Sequence, residues 1–264
     1  PICEKFKELF MEYVVLGKSN LLVSRTAFGA QALEKVGESE TAHQMVRMAY
    51  EDGVNFFDTS TRTPESERRL GAALSDVREN VIIATKSSPR NGGELAIDVD
   101  VSLRTLGTGY IDLYQLENPE ILPKINDGSE ILEKLIELKT SGVIRHFGIV
   151  TESTDIAERV LYSDAGWETI QFPFNMLCTN EIENLTRRFY EKDIGFIAMR
   201  PLCGGVITNI PLALGYLQQF PNVVPVWGVR TSEQMQQILY FTDNPPVIDE
   251  HFNEEAAKIR AFFN

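Results

Sequence analysis

What most constrains this chain is one alternation made eight times: a short apolar run rich in β-branched residues, then a longer stretch with apolar positions at helical spacing. The short runs fall at 26–28, 55–57, 81–85, 111–116, 146–150, 169–172, 195–198 and 224–227. They are too apolar for strands with one wet face, so both faces are expected to be covered. The longer stretches fall at 39–51, 65–74, 95–106, 130–141, 154–162, 181–191, 212–219 and 232–240. In 130–141, Ile131, Leu132, Leu135, Ile136 and Leu138 recur among Glu133, Lys134, Glu137 and Lys139, and Gly142 supplies a C-terminal stop. The seventh unit is the least regular, because Pro201, Gly204, Gly205 and Pro211 break the chain before 212–219. Repeated strand–helix units require a parallel sheet, and eight of them predict a closed (β/α)8 TIM barrel, an α/β fold. A β-hairpin at 13–16 and 21–24 is expected ahead of it, and a tail helix at 254–263 after Pro245-Pro246.

Composition fits that architecture. With 264 residues and 43% hydrophobic content, residues 11–264 are expected to form a single barrel domain. Residues 1–10, ahead of Met11, read as a leader or a remnant and are assigned no function. A net charge of −13 argues against a nucleic-acid surface, which needs clustered cations. Cys3, Cys178 and Cys203 make an odd, scattered set, which predicts no disulfide framework and a reducing cytoplasm. No apolar run approaches the roughly 20 residues that span a bilayer, so no membrane role is expected. His43, His146 and His251 show no ligand spacing, and no metal is predicted.

In a barrel of this kind the active site lies at the carboxyl ends of the strands. Asp58, Lys86 and Glu117 each stand at or just beyond such an end, so the fold is expected to gather them at one mouth. The surrounding segments resemble those of aldo-keto reductases. The resemblance is carried by the opening hairpin Leu16-Gly17-Lys18-Ser19-Asn20-Leu21-Leu22-Val23-Ser24-Arg25 and by Ala49-Tyr50-Glu51-Asp52-Gly53-Val54-Asn55-Phe56-Phe57-Asp58. Ser66-Glu67-Arg68-Arg69-Leu70-Gly71, Tyr110-Ile111-Asp112-Leu113-Tyr114 and Gly142-Val143-Ile144-Arg145-His146-Phe147-Gly148-Ile149 continue it in order.

The resemblance implies a catalytic Asp, Tyr, Lys and His. Asp58 and Lys86 match two of these, while Thr63 stands at the Tyr position and Glu117 at the His position. An aliphatic hydroxyl is a poor acid beside a phenol, so Thr63 can hydrogen-bond a carbonyl but not replace the proton donor. Asp58 is expected to pair with Lys86, and Glu117 is either a substitute acid or a second partner of Lys86. For the cofactor, the resemblance implies Thr151 and Gln171 at the nicotinamide carboxamide and Met199 against its ring. Arg200, Pro201 and Leu202 follow Met199 in the expected cofactor set, with Arg200, Gly204 and Gly205 offering a cation and open backbone to the pyrophosphate or the substrate, and the resemblance implies Gly228, Arg230 and Gln234 around the adenosine phosphate. NADPH or NADH would serve, with the choice open because Gln234 stands where many members have an Arg.

The activity so implied is NAD(P)H-dependent reduction of a carbonyl or activated alkene in a small-molecule substrate, with an atypical proton donor. Two alternatives stay open: a catalytically impaired nucleotide sensor or partner subunit, with a protein partner, and a redox-neutral lyase or isomerase. Asn253-Glu254-Glu255-Ala256-Ala257-Lys258-Ile259-Arg260 also resembles the tail of a ferredoxin-fused branch of the family.

Overall fold

A computed structural model describes residues 11–263. The segment read as a leader, 1–10, lies outside the described residues. The chain opens with an antiparallel hairpin, β1 (Tyr13–Val15) and β2 (Leu22–Ser24). Strand and helix then alternate: β3 (Ala27–Gly29), α1 (Ser39–Glu51), β4 (Phe56–Asp58), α2 (Pro64–Leu74), β5 (Ile82–Ser87) and α3 (Gly92–Leu106). They continue as β6 (Ile111–Glu117), α4 (Ile131–Thr140), β7 (Ile144–Val150), α5 (Thr154–Leu161), β8 (Thr169–Pro173) and α6 (Asn180–Glu191). The last units are β9 (Gly195–Met199), α7 (Ile210–Gln218), β10 (Val223–Gly228), α8 (Ser232–Asp243) and the tail helix α9 (Glu250–Phe263). Strands β3 to β10 pair in parallel and β10 closes on β3, so the barrel is complete. None of the described helices is long and apolar enough to cross a membrane.

All eight strand–helix units expected from the sequence are present. The seventh helix starts earlier than expected, because Pro211 does not break it but sits in its first turn. There a missing N–H costs nothing, and the Asn209 side chain accepts from Leu212 N at 3.0 Å to cap the turn.

The period of two along each strand divides the core. Phe56, Ala84, Leu113, Ile197, Val224 and Val226 pack inside the barrel with Leu16 and Val23 of the hairpin. Their neighbours Phe57, Ile83, Tyr114 and Phe196 pack outward against the helices. The same alternation puts Asp58 two residues beyond Phe56, Lys86 two beyond Ala84 and Gln115 two beyond Leu113, all on the inner face. The hairpin plugs the amino end of the barrel through a close glycine contact. Gly17 has φ +54°, and a Cβ on it would lie 2.3 Å from Gly195 N, while a Cβ on Gly195 would meet Leu16 at 2.6 Å.

Candidate active site

The inner-face polar residues meet where β4, β5, β6 and β8 end. Lys86 Nζ donates to Asp58 Oδ2 at 2.6 Å and to the Thr59 carbonyl at 2.8 Å, and both charged residues are only 3% exposed. Gln115, fully buried, donates from Nε2 to Gln171 Oε1 at 3.0 Å and lies 3.4 Å from Asp58 Oδ1. Gln171 Nε2 is 3.5 Å from Asp58 Oδ2, so four strands contribute to one buried network. Burying an amide in an apolar barrel is costly unless its groups are paired; Gln115 pairs its Nε2 by tying Gln171 to Asp58, while its Oε1 is buried with no hydrogen-bond partner among the described residues.

Above the network lies a cleft of about 580 Å³. Asp58, Thr63, Lys86 and Glu117 line one part of it, with Gln171 and Met199 beside them. It runs on past Arg200, Pro201 and Leu202 to Gly228, Arg230 and Gln234. Of the residues expected at the site, only Thr151 stands outside. It is 1% exposed, its hydroxyl accepts from Ser153 N at 3.0 Å, and its own N–H donates to the Gln171 carbonyl, so it shapes the turn into α5.

Two expected interactions take a different form. Lys86 spends its hydrogen bonds on Asp58 and Thr59, and no ion pair joins it to Glu117. Glu117 is matched instead by Arg62, whose Nε lies 3.0 Å from Glu117 Oε2. That contact is within ion-pair range but is not aligned as a hydrogen bond. Thr63 caps α2 with its backbone, and its hydroxyl donates to the Ser60 carbonyl at 3.1 Å. With α2 starting at Pro64, the Thr63 carbonyl accepts from Ser66 N and Glu67 N in the first turn, while the hydroxyl turns back to the preceding loop and makes no cap bond.

At the cofactor end, Arg200 has φ +57° and pairs across the cleft with Glu152. Gly204 and Gly205 follow at φ +69° and +100°, and a Cβ on either would meet no atom within 4 Å, so this loop presents open backbone to the cleft. Arg230 N donates to Gln234 Oε1 at 2.9 Å at the start of α8, where Thr231 caps the helix.

Behind Lys86, on the outer face of the sheet, Glu67 is fully buried and accepts from Thr85 Oγ1 at 2.7 Å and Ser102 Oγ at 2.8 Å. Burial pushes its carboxyl above the usual range, against the pull of these hydroxyls and of Lys86. His146 also finds a partner, Glu168 Oε1 at 2.8 Å. Burial opposes ionisation of Glu168, but hydrogen bonds from His146, Lys139 and the Phe147 N–H outweigh it and hold the carboxyl below the usual range. No cluster of metal-ligating side chains occurs among the described residues.

The aldo/keto reductase family profile matches residues 26–211. The chain belongs to that family. The aldo-keto reductase YhdN of Bacillus subtilis is 26% identical over 217 residues, covering 75% of this chain and 64% of the relative. The oxidoreductase YqkF of the same organism is 30% identical over 211 residues, covering 75% and 67%. The chain thus spans about two thirds of the length of these curated relatives. A solved aldo-keto reductase from Bacillus halodurans, AKR11C1 in its holo form, superposes with a TM-score of 0.81 at 23% identity, covering 94% of this chain and 96% of that one. The last likeness is one of fold, and it agrees with the family barrel seen here.

Within the family barrel, sequence reasoning overlooked Gln115 and Arg62. Gln115 carried a signal, a lone amide in the apolar run Ile111-Asp112-Leu113-Tyr114-Gln115-Leu116 at the same parity as Leu113. Arg62 carried none, since a charged residue in a loop is ordinarily solvated.

Proposed function

We propose that the chain is an NAD(P)H-dependent oxidoreductase that reduces a carbonyl or activated alkene in a small-molecule substrate. The observation that carries this reading is the buried Asp58–Lys86 pair opening into a cleft that ends at Arg230 and Gln234. That cleft suits a dinucleotide. The buried Gln171 amide suits a carboxamide, Met199 an aromatic face, and Arg200 with the open Gly204-Gly205 backbone a pyrophosphate. Arg230, at the amino end of α8, suits a phosphate on the ribose.

Bound there, reduced nicotinamide supplies a hydride, and with it both electrons, to the substrate carbon. The chain's residues manage the charge that results. Of Lys86's three N–H groups two are taken by Asp58 and Thr59, and the third is left for the substrate oxygen as its π electrons become an oxyanion. Asp58 holds the amine in place, and Gln115 holds Asp58 to Gln171. In this reading Thr63 replaces the family phenol and Glu117 the family histidine. The Thr63 hydroxyl is committed to Ser60 and Glu117 is matched by Arg62, so the proton reaches the oxygen from water at the mouth. Substrates with low proton demand suit such a site.

A second reading, a nucleotide-binding barrel with little turnover, is favoured by one observation: Arg62 pairs with Glu117, which leaves no dedicated acid in the mouth. Titration with NADPH and NADH, followed by calorimetry and tryptophan fluorescence, separates the possibilities. The oxidoreductase reading expects binding that weakens in Gln171→Ala, and oxidation of the bound cofactor by carbonyl or activated-alkene compounds. Binding without cofactor oxidation favours the second reading; no binding up to millimolar nucleotide removes both.

A further inference from the structure

We propose that Arg62 determines substrate specificity, and that the substrate carries a carboxylate in addition to its reducible group. The inference rests on the oxidoreductase reading and adds a substrate class to it.

Arg62 precedes Thr63 and reaches Glu117, and these two residues line the cleft. Its side chain is 60% exposed, yet two contacts hold it. Nε lies 3.0 Å from Glu117 Oε2, and Nη2 donates to Ser88 Oγ at 3.0 Å. Ser88 Oγ in turn donates to the Glu117 carbonyl at 2.8 Å, so cation, serine and the end of β6 form one unit. Of the two, only the Ser88 contact is an aligned hydrogen bond, and it uses Nη2. Nη1 has no protein partner among the described residues, which leaves the Nη1–Nη2 edge for the paired, parallel hydrogen bonds that a planar carboxylate accepts.

Lys86 cannot take that role. It is buried, and its one remaining N–H is needed at the reacting oxygen. Of the two arginines that line the cleft, Arg200 is matched by Glu152 and Arg230 stands at the amino end of α8, where the cleft ends. The free guanidinium edge is therefore suited to a remote carboxylate, and the surrounding charge makes the choice sharp. The chain carries a net −13, so its overall charge repels anions, and a half-free cation beside Thr63 and Glu117 offers them a local attraction. Glu117 adds the opposing element. Without Arg62, its unpaired carboxylate would face an incoming anion and reject it, so one residue decides between attraction and repulsion.

The test compares 4-carboxybenzaldehyde with its neutral amide, 4-carbamoylbenzaldehyde, on the parent protein, Arg62→Gln and Arg62→Lys. Affinity is measured by calorimetry with and without NADPH, and kcat/KM by NADPH oxidation. The parent is expected to favour the carboxylate by about tenfold or more. Arg62→Gln is expected to reverse the preference while NADPH affinity is unchanged, and Arg62→Lys to keep only part of it, because an ammonium lacks the fork. Equal affinity for the two aldehydes in the parent, or a preference that survives in Arg62→Gln, overturns the proposal. Turnover of the amide without preference for the carboxylate overturns it while the oxidoreductase reading stands. If NADPH fails to bind, that reading falls, and the affinities without nucleotide still decide whether Arg62 recognises carboxylates.

Discussion

Replacing Lys86 with Met should destabilise the barrel far more than the loss of one lysine normally does. The Lys86 and Asp58 side chains are 4% and 5% exposed and 2.6 Å apart. Once the amine is gone, the nearest remaining donors to the Asp58 carboxylate are Gln115 Nε2 at 3.4 Å and Gln171 Nε2 at 3.5 Å, both near the limit of a hydrogen bond. Removing one member of a buried pair leaves an uncompensated charge, at a cost of about 3–5 kcal/mol. Against a typical domain stability of about 5–15 kcal/mol, that is a large fraction of the total. Adding Asp58→Asn removes the stranded charge, so the double variant should be more stable than Lys86→Met alone, with a coupling of roughly 2 kcal/mol or more. Urea unfolding is the assay, followed by far-UV circular dichroism and by fluorescence of Trp167 and Trp227, both 1% exposed and so strongly responsive to unfolding. A cost below about 1 kcal/mol for the single variant with no coupling would mean that the pair is solvated in solution, and the argument from burial would be refuted.

Thr63→Tyr should raise turnover of a carbonyl substrate by roughly 10²-fold, the usual worth of a positioned acid, without changing nucleotide affinity; unchanged turnover with binding intact would show that the absent phenol is not limiting. For Glu67, a folded-state pKa raised by burial gives stability that is fully present below the unfolded carboxyl value and lost as pH rises through the folded one. Glu67→Gln should therefore gain on the parent as pH rises above the ordinary carboxyl value, read from urea midpoints, and a pH-independent difference would contradict this. Gly17→Ala should cost about 1–3 kcal/mol, because φ is +54° and the added methyl meets Gly195 N at 2.3 Å; a thermal midpoint equal to the parent's would disprove the close contact at the barrel floor.

Much of the fold could be read from the chain because its signals are local. Each apolar run and each amphipathic stretch can be recognised within its own window, and eight of them have few ways to pack other than a barrel. The positions of Asp58, Lys86, Glu117 and Gln171 at strand ends follow from the same local reading. Thr151 shows where that reading stops: one residue past Val150 the strand has ended, and the turn into α5 draws the hydroxyl away from the cleft.

What only the tertiary structure decided is which charged group answers which. The sequence allowed Lys86 to pair with Asp58, with Glu117 or with both; the barrel places Asp58 on the adjacent strand and gives Glu117 to Arg62. Gln115 joins Gln171 across the barrel interior, a contact between strands that are not neighbours in the sheet. Electrostatic and hydrogen-bond energies depend on distances of a few ångströms and on burial, whereas hydrophobic periodicity depends only on spacing along the chain. Spacing was enough to determine the barrel, and closing it set the distances on which its chemistry depends.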